Sequence, residues 1–280
     1  MFSRVNDANS GKINIIVIFN YNYSYFINSI FNSLRCNDVV NNDKYVIFFC
    51  DDGSNDDSTS IVNRYINDND VWNIELVEVR PKNSERREFF SFGQLCALQM
   101  VLASTNLENI DLCFLVDCDD YYPSNYFSTF YDFSFGNKKE VYFSKIFNVS
   151  VDGTFLNEKY IKRPVSKLMS CWPTVTCTSG VVLSSSFLRK YNRELFDFSL
   201  SFTDVWLDSR IAMLSVNHGD VAYLNIFCNR VIHNANDSRK SNFKRKFLKQ
   251  IQSQRYFKCY VKTKRSIRLK VLDFLDSLFY

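Results

Sequence analysis

The feature that most constrains this fold is a short apolar run that ends in three carboxylates. The run from Leu112 to Val116 leads directly into Asp117, Asp119 and Asp120. A short, bounded apolar run is typical of a buried strand rather than of a helix. In open α/β sheets, ligands bind outside the carboxyl ends of the strands. We therefore expect the three acids to lie at a ligand-binding edge of a sheet.

Carboxylates placed this close together repel one another unless positive charge lies between them. A hard divalent cation, Mn²⁺ or Mg²⁺, that also holds a diphosphate would supply that charge, because such ions prefer oxygen ligands. The alternative is a solvated acidic turn after the strand. The rest of the chain favours the metal site.

The first half of the chain alternates strand-like and helix-like patterns. Apolar runs at Ile13–Phe19, Tyr45–Cys50 and Ile74–Val79 precede the Leu112 strand, and helical patterns separate them, the first with Ser24 as its expected N-cap. This order predicts an α/β fold with a Rossmann-like, mostly parallel sheet flanked by helices. The loops after the first, second and fourth strands would meet at one edge, where such sheets bind nucleotides.

The second half is less regular. Within a predicted helix at Phe202–Leu214, Asp204 and Asp208 are four residues apart and are expected on one face. Asp204 is the best candidate for a general base, and the alternative is a first-turn acid that complements the helix dipole. The other predicted elements are strands at Val141–Val151, Thr174–Leu183 and Val221–Phe227, and helices at Ser186–Tyr191 and over 242–280.

Charge is distributed unevenly along the 280 residues, whose net charge is +4. From Arg239 to the end, 13 Lys and Arg residues accompany 2 acids, a net +11, whereas the preceding residues sum to −7. The basic extension carries an apolar stripe from Ile267 to Leu278. It is expected either to lie on an anionic membrane surface or to pack on the main domain. No nucleic-acid partner is expected, although the charge of the extension leaves that alternative open.

The cysteines and the N-terminus indicate a cytoplasmic protein. The nine Cys residues lie mostly in apolar runs and form no zinc-type CxxC pair, so they are expected to be reduced core residues. The first residues lack the apolar segment of a signal peptide, and no apolar run approaches the ~20 residues of a membrane span. Peripheral attachment at the inner face of the membrane is compatible with this reading.

Three further features each have two interpretations. A carboxylate in the Asp51–Ser58 turn could accept the imide N–H of uracil or thymine or a ribose hydroxyl, or it could cap the next helix. Tyr21 could stack on a base or be a surface tyrosine. His233, in a polar loop, could bind metal or phosphate or be a surface histidine. Neither a G-x-G-x-x-G turn after the first strand nor a P-loop motif is present.

Taken together, the motifs resemble those of the family 2 inverting nucleotide-sugar glycosyltransferases, which have the GT-A fold. The D-D-G-S-x-D turn and the D-x-D-D segment, in this order and spacing, are the most specific. The matching segments are Ile16–Asn22, Asp51–Asp56, Phe92–Leu95, Phe114–Asp120, Ser179–Val182, Thr203–Asp204, and Arg230–His233 followed by Ser238.

The resemblance covers roughly residues 13–241, so we predict a glycosyltransferase domain over 1–241 and a helical extension over 242–280. Two departures stand out. Thr203 replaces the acid that usually precedes the catalytic Asp, and Cys96–Leu98 lies where members often carry an Arg-Asn pair.

The resemblance implies roles for ten residues. Asp204 would deprotonate the acceptor hydroxyl, and Mn²⁺ or Mg²⁺ would assist the departing diphosphate. The donor would be a nucleotide sugar, preferably UDP-linked, and the acceptor a glycan or a lipid-linked molecule. The nucleotide would contact Phe19, Tyr21, Asp51, Asp52, Gln94 and Asp117, and the cation would contact Asp119, Asp120 and His233.

Two other functions remain open from the sequence. A sugar nucleotidyltransferase would use a similar sheet, but such enzymes usually carry a glycine-rich, basic loop after the first strand, and Asn20–Tyr23 has neither feature. A protein that binds a nucleotide sugar without turnover is the second alternative, and Thr203 and the altered third helix favour it.

Overall fold

The computed structural model describes residues 11–68, 73–80, 92–159, 177–218, 220–234 and 243–261. Within these ranges the chain forms one mixed eight-stranded sheet. Its strands are β1 (Ile13–Asn20), β2 (Tyr45–Asp51), β3 (Ile74–Glu78), β4 (Ile110–Asp117), β5 (Val141–Val149), β6 (Phe155–Lys159), β7 (Val181–Ser184) and β8 (Val221–Val231). Their order is β3-β2-β1-β4-β7-β5-β6, and β8 pairs with β5.

The first four strands form the predicted parallel half of the sheet. β1 lies between β2 and β4, and β2 also pairs with β3, all in parallel. The register aligns Asn20 with Asp51 and Phe19 with Asp117. The carboxyl ends of β1, β2 and β4 therefore lie side by side, as the apolar runs predicted.

Helices cover both faces of the sheet. Alternate residues of β1 face opposite sides: Ile16 and Ile18 pack with one group of helices, and Ile15 and Val17 with the other. The first group is α1 (Ser24–Arg35), α2 (Ser58–Asn67) and α4 (Tyr126–Gly136); the second is α3 (Phe92–Ser104), α5 (Ser185–Lys190), α6 (Asn192–Leu195), α7 (Leu207–His218) and α8 (Phe243–Tyr260).

Several predicted boundaries are wrong. β7 begins only at Val181, after a 3₁₀ turn at Thr178–Gly180, and runs antiparallel to β4. β8 extends four residues beyond Phe227, because its polar second half still pairs with β5. Ser24 is the first residue of α1 rather than its N-cap, and its backbone N–H is bound by the Asp56 carboxylate at 2.9 Å.

Part of the predicted C-terminal extension packs on the main domain, against α7 and the turn that precedes it. Ile251, Tyr256, Phe257 and Val261 are buried, and the last three belong to the same core cluster as β1 and α3. The apolar stripe from Ile267 to Leu278 lies outside the described residues. Among the helices that the structure describes, none combines the length and apolarity needed to cross a membrane.

Candidate active site

The turn after β2 is built around the Asp51 carboxylate. Its Oδ1 accepts hydrogen bonds from Asn20 Nδ2 at 2.7 Å and from the Ser54 hydroxyl at 2.5 Å, and its Oδ2 accepts from the Ser54 N–H at 2.9 Å. Gly53 has φ +73°, a left-handed conformation that favours glycine. Asp51 thus fixes the turn and leaves the neighbouring Asp52 to face the site.

Asp52 lies between the ends of β3 and α3. Its carboxylate is buried and forms an ion pair with Arg80 Nε at 3.2 Å. Gly93, in the first turn of α3, lies so close that a Cβ there would overlap Asp52 Oδ2 and lie 3.1 Å from its Cγ. The helix N-terminus favours a carboxylate at this position. The site therefore holds an acceptor and a cationic donor side by side.

Gln94 connects this turn to the acid cluster after β4. The residue follows Gly93, and its Nε2 donates to Asp117 Oδ1 at 2.7 Å. Thr178 Oγ1 lies 3.5 Å from the same nitrogen. Asp52 and Asp117 are thereby linked through two consecutive residues of α3.

Asp119 and His233 are brought together from positions 114 residues apart in the sequence. The distance from His233 Nε2 to Asp119 Oδ2 is 2.8 Å, and both side chains are more than nine-tenths buried. The rings of Tyr23 and Phe26 lie 5.5 Å and 5.0 Å from the imidazole. No group of three or more His, Cys, Asp or Glu in the described ranges could hold a metal ion.

Both oxygens of Asp120 accept hydrogen bonds from the protein. The Ser179 hydroxyl donates to Oδ2 at 2.6 Å, and the Val231 N–H donates to Oδ1 at 3.0 Å. The Ser179 hydroxyl oxygen also accepts from the Asp117 N–H at 2.9 Å. Asp120 therefore ties the end of β4 to the 3₁₀ turn before β7 and to the end of β8, next to the Asp119–His233 pair.

Burial and mutual repulsion perturb the acid cluster. Burial, followed by the charges of Asp120 and Asp119, raises the pKa of Asp117 well above its ordinary value, against the opposing effect of Arg230. Burial and the charge of Asp119 raise the pKa of Asp120 to about 7. Burial acts to lower the pKa of Arg230, but Cys177 and then the three acids raise it, and the net change is upward. A further cation at this place would favour the ionised carboxyls.

The structure places Asp204 differently from the sequence prediction. A 3₁₀ turn at Leu200–Phe202 precedes Thr203 and Asp204, and α7 begins only at Leu207. Asp204 therefore does not share a helical face with Asp208. The backbone N–H of Asp204 is held by Gln252 Oε1 of α8 at 2.6 Å. The charge of Asp208 acts on the pKa of Asp117, so the start of α7 lies near the acid cluster.

The remaining predicted nucleotide contacts lie at the same edge. Phe19 is buried in the core, and its carbonyl accepts from the Cys118 N–H at 3.0 Å. Tyr21 follows β1 and is half-buried.

The prediction of site residues omitted Arg80, Ser179, Arg230 and Gln252. Arg80 lies two residues after the end of β3, a position from which it could have been found, and Arg230 lies in the matched Arg230–His233 segment but was given no role. Ser179 begins the matched Ser179–Val182 segment, which indicated its place but not its hydrogen bond to Asp120. Gln252 carries no local signal, because its partners are distant in the sequence.

No protein-family model matches the chain, and no curated protein matches its sequence. Its structure resembles that of S. aureus TarS in complex with UDP-GlcNAc, at 15% identity and a TM-score of 0.59, over 94% of this chain and 69% of the other. It equally resembles the mannosyltransferase PcManGT from Pyrobaculum calidifontis in complex with GDP-Man and Mn²⁺, at 14% identity and a TM-score of 0.59, over 94% and 68%. The chain therefore has the predicted GT-A fold.

Proposed function

We propose that this chain is a metal-dependent, inverting glycosyltransferase that moves a sugar from a nucleotide-sugar donor, preferably UDP-linked, to a hydroxyl of a glycan or lipid-linked acceptor. One observation carries the proposal: Asp52 and the Asp119–His233 pair lie at the same edge of the sheet. Asp52 suits a nucleobase, and the Asp119–His233 pair suits a cation. Gln94 and Asp117 lie between them, where a ribose would sit.

Asp52 and Arg80 supply the base-binding end of this site. A carboxylate beside a guanidinium offers an acceptor next to donors, which complements a ring N–H flanked by a carbonyl. Uracil, thymine and guanine carry such an edge. TarS is described with UDP-GlcNAc and PcManGT with GDP-Man, so one neighbour binds uracil and the other guanine. We propose uracil as the preferred base of this chain.

Asp119 and His233 would hold Mn²⁺ or Mg²⁺, and the described residues fit that role. Ions of this kind are often bound by one or two side chains while substrate phosphates and water complete the shell. The oxygen and nitrogen donors lie 2.8 Å apart and are orientated by surrounding contacts. When bound, the cation would neutralise charge on the diphosphate as it leaves. Asp120, already hydrogen-bonded through both oxygens, would support this pair and contribute a remaining lone pair.

Asp204 would accept the proton of the acceptor hydroxyl as that oxygen attacks the anomeric carbon. A single displacement needs one base on the face opposite the leaving group and no carboxylate nucleophile, so it inverts the configuration. Asp204 lies in the turn before α7, whose first residues are near Asp117.

We further propose a cytoplasmic location with peripheral attachment through the basic extension beyond α8. The support is its charge and apolar stripe in the sequence. Such attachment would bring the site to a lipid-linked acceptor.

Calorimetric titration of UDP with and without Mn²⁺ tests the nucleotide and metal roles. We expect micromolar binding that Mn²⁺ strengthens, and we expect Asp119→Asn to remove that Mn²⁺-dependent gain. Asp43→Asn, at an exposed position, is the matched control and should behave as wild type. GDP, dTDP and CDP should bind more weakly than UDP. Failure of every nucleotide to bind would contradict the proposal.

Asp204→Asn separates an enzyme from a protein that only binds. With a panel of UDP-sugars, the variant should keep wild-type UDP affinity and lose transfer and donor hydrolysis by at least about 100-fold. A wild-type chain that binds UDP with Mn²⁺ but turns over no donor would support the binding function instead.

A further inference from the structure

Gln252 of α8 is hydrogen-bonded to the turn that carries Asp204. Its Oε1 accepts the Asp204 N–H at 2.6 Å, and its Nε2 donates to Thr203 Oγ1 at 3.0 Å. The Gln252 side chain is buried, at 6% exposure. One amide therefore binds two successive residues of the turn, from a helix 48 residues later in the chain.

The flanks of the same turn are held by Arg210. This fully buried side chain donates to the carbonyl of Val205 at 2.8 Å and to that of Phe202 at 3.2 Å. Its guanidinium also lies 5.2 Å from the ring of Tyr256 in α8. Arg210 thus fixes the residues on either side, and Gln252 fixes the two residues between them.

The helix that carries Gln252 is itself anchored. The Tyr256 hydroxyl donates to the Glu194 carbonyl at 2.7 Å, and the Tyr256 ring packs edge-on against Phe202 at 5.3 Å. Loss of the Gln252 amide would therefore leave α8 in place and release only the turn.

We infer that Gln252 is a positioning residue for the proposed general base, and that its amide sets the place of Asp204 relative to the acceptor hydroxyl. This inference rests on the proposed function, because it takes Asp204 as the base. It gives α8 a part in catalysis without contact with substrate. Thr203, which departs from the acidic residue of the resembling family, then acts as the second attachment point of the amide.

The test compares three substitutions in α8. Gln252→Met keeps the side-chain length and volume and removes both hydrogen bonds, Gln252→Glu restores the acceptor for the Asp204 N–H, and Gln254→Met is the matched control. Gln254 is the same residue type with the same 6% exposure. Within the described residues it makes no hydrogen bond to Thr203 or Asp204.

We expect Gln252→Met to lower kcat about 10- to 100-fold, since a displacement near 1 Å can cost a factor of 100. The KM for the donor and the affinity for UDP with Mn²⁺ should stay within about twofold of wild type. Gln252→Glu should recover most of kcat, and Gln254→Met should match wild type. A role in stability alone would instead affect the two Met variants alike.

Amide hydrogen exchange at Asp204 provides a readout that needs no activity. Exchange should be faster in Gln252→Met than in wild type or Gln254→Met. If Gln252→Met does not fold, Gln252→Asn carries the same test, because its amide is one methylene too short to reach the turn. Wild-type kcat and unchanged exchange in the Gln252 variants would overturn the inference. Retained transfer in Asp204→Asn would instead overturn the base assignment.

Discussion

At the scale of single residues, the absence of one side chain leaves room for the Asp52 carboxylate. Gly93 lies in the first turn of α3, and the Asp52 carboxylate occupies the volume that a Cβ would need there. The Asp52 carboxylate has little room to move, because it is buried and also pairs with Arg80. The glycine is therefore required by close approach and not by an unusual backbone conformation.

Gly93→Ala should weaken UDP binding by at least about tenfold, equivalent to about 1.4 kcal/mol. The added methyl group would push Asp52 away from Arg80 and disturb the pair that suits a nucleobase. Calorimetric titration with UDP and Mn²⁺ measures the effect. The matched control is Gly136→Ala at the end of α4, where nothing lies within 4 Å of the new Cβ. Equal UDP affinity in the two variants would contradict this account of Asp52.

At the scale of secondary-structure elements, one carboxylate joins the starts of two helices. Asp56 accepts hydrogen bonds from the backbone N–H of Ser58, the first residue of α2, at 3.0 Å and from that of Ser24, the first residue of α1, at 2.9 Å. The Ser58 hydroxyl also donates to it at 2.5 Å. Burial alone would raise the pKa of Asp56, but these hydrogen bonds outweigh burial and hold the pKa below its ordinary value.

Asp56→Ala should lower the free energy of unfolding by about 1 kcal/mol at pH 7, as the loss of a helix cap does. Because the pKa is lower in the folded chain, the ionised carboxylate stabilises the protein above the unfolded-state pKa, and this contribution is lost as pH falls through the folded-state pKa. The difference from wild type should therefore be constant from pH 7 to 5 and shrink below about pH 4.

Urea unfolding at several pH values measures this difference. Asp57→Ala is the control, because Asp57 is the exposed N-cap of α2 and its side chain makes no capping hydrogen bond. It should change stability by no more than about 0.5 kcal/mol. If Asp56→Ala lowers the free energy of unfolding as much at pH 3 as at pH 7, ionisation of Asp56 is not the cause of the stabilisation.

Elements whose signals are local were predictable, and those set by distant partners were not. β1, β2 and β4 follow apolar runs, so their predicted ends fall within one residue of Asn20, Asp51 and Asp117. The predicted start of α7 was wrong. Gln252 and Arg210 hold the residues before Leu207 in a turn, and no neighbouring residue indicates that turn. Likewise, the motifs indicated the acid cluster, but its hydrogen bonds to Ser179 and Val231 depend on tertiary pairing.

At the scale of the whole molecule, the chain combines an acidic body with a basic C-terminal extension. Residues 1–238 sum to −7 and the remainder to +11. The structure shows α8 packed against the body through Ile251, Tyr256 and Phe257. The residues after Val261 are therefore the ones to which we assign membrane attachment, and Arg265, Arg268 and Lys270 carry much of their charge.

Replacing Arg265, Arg268 and Lys270 with Gln should lower binding to anionic vesicles by at least about tenfold, since each basic residue near such a surface contributes about 1 kcal/mol. Co-sedimentation with phosphatidylserine-containing and purely phosphatidylcholine vesicles measures this loss. Replacing Arg35, Lys44 and Arg189 with Gln makes the same change in net charge at exposed positions of the body and should leave vesicle binding unchanged. Equal losses of vesicle binding in both triple variants would mean that net charge, and not the extension, determines that binding. Tight, salt-sensitive binding of duplex DNA by the extension, with no preference for anionic lipid, would instead identify its partner as a nucleic acid.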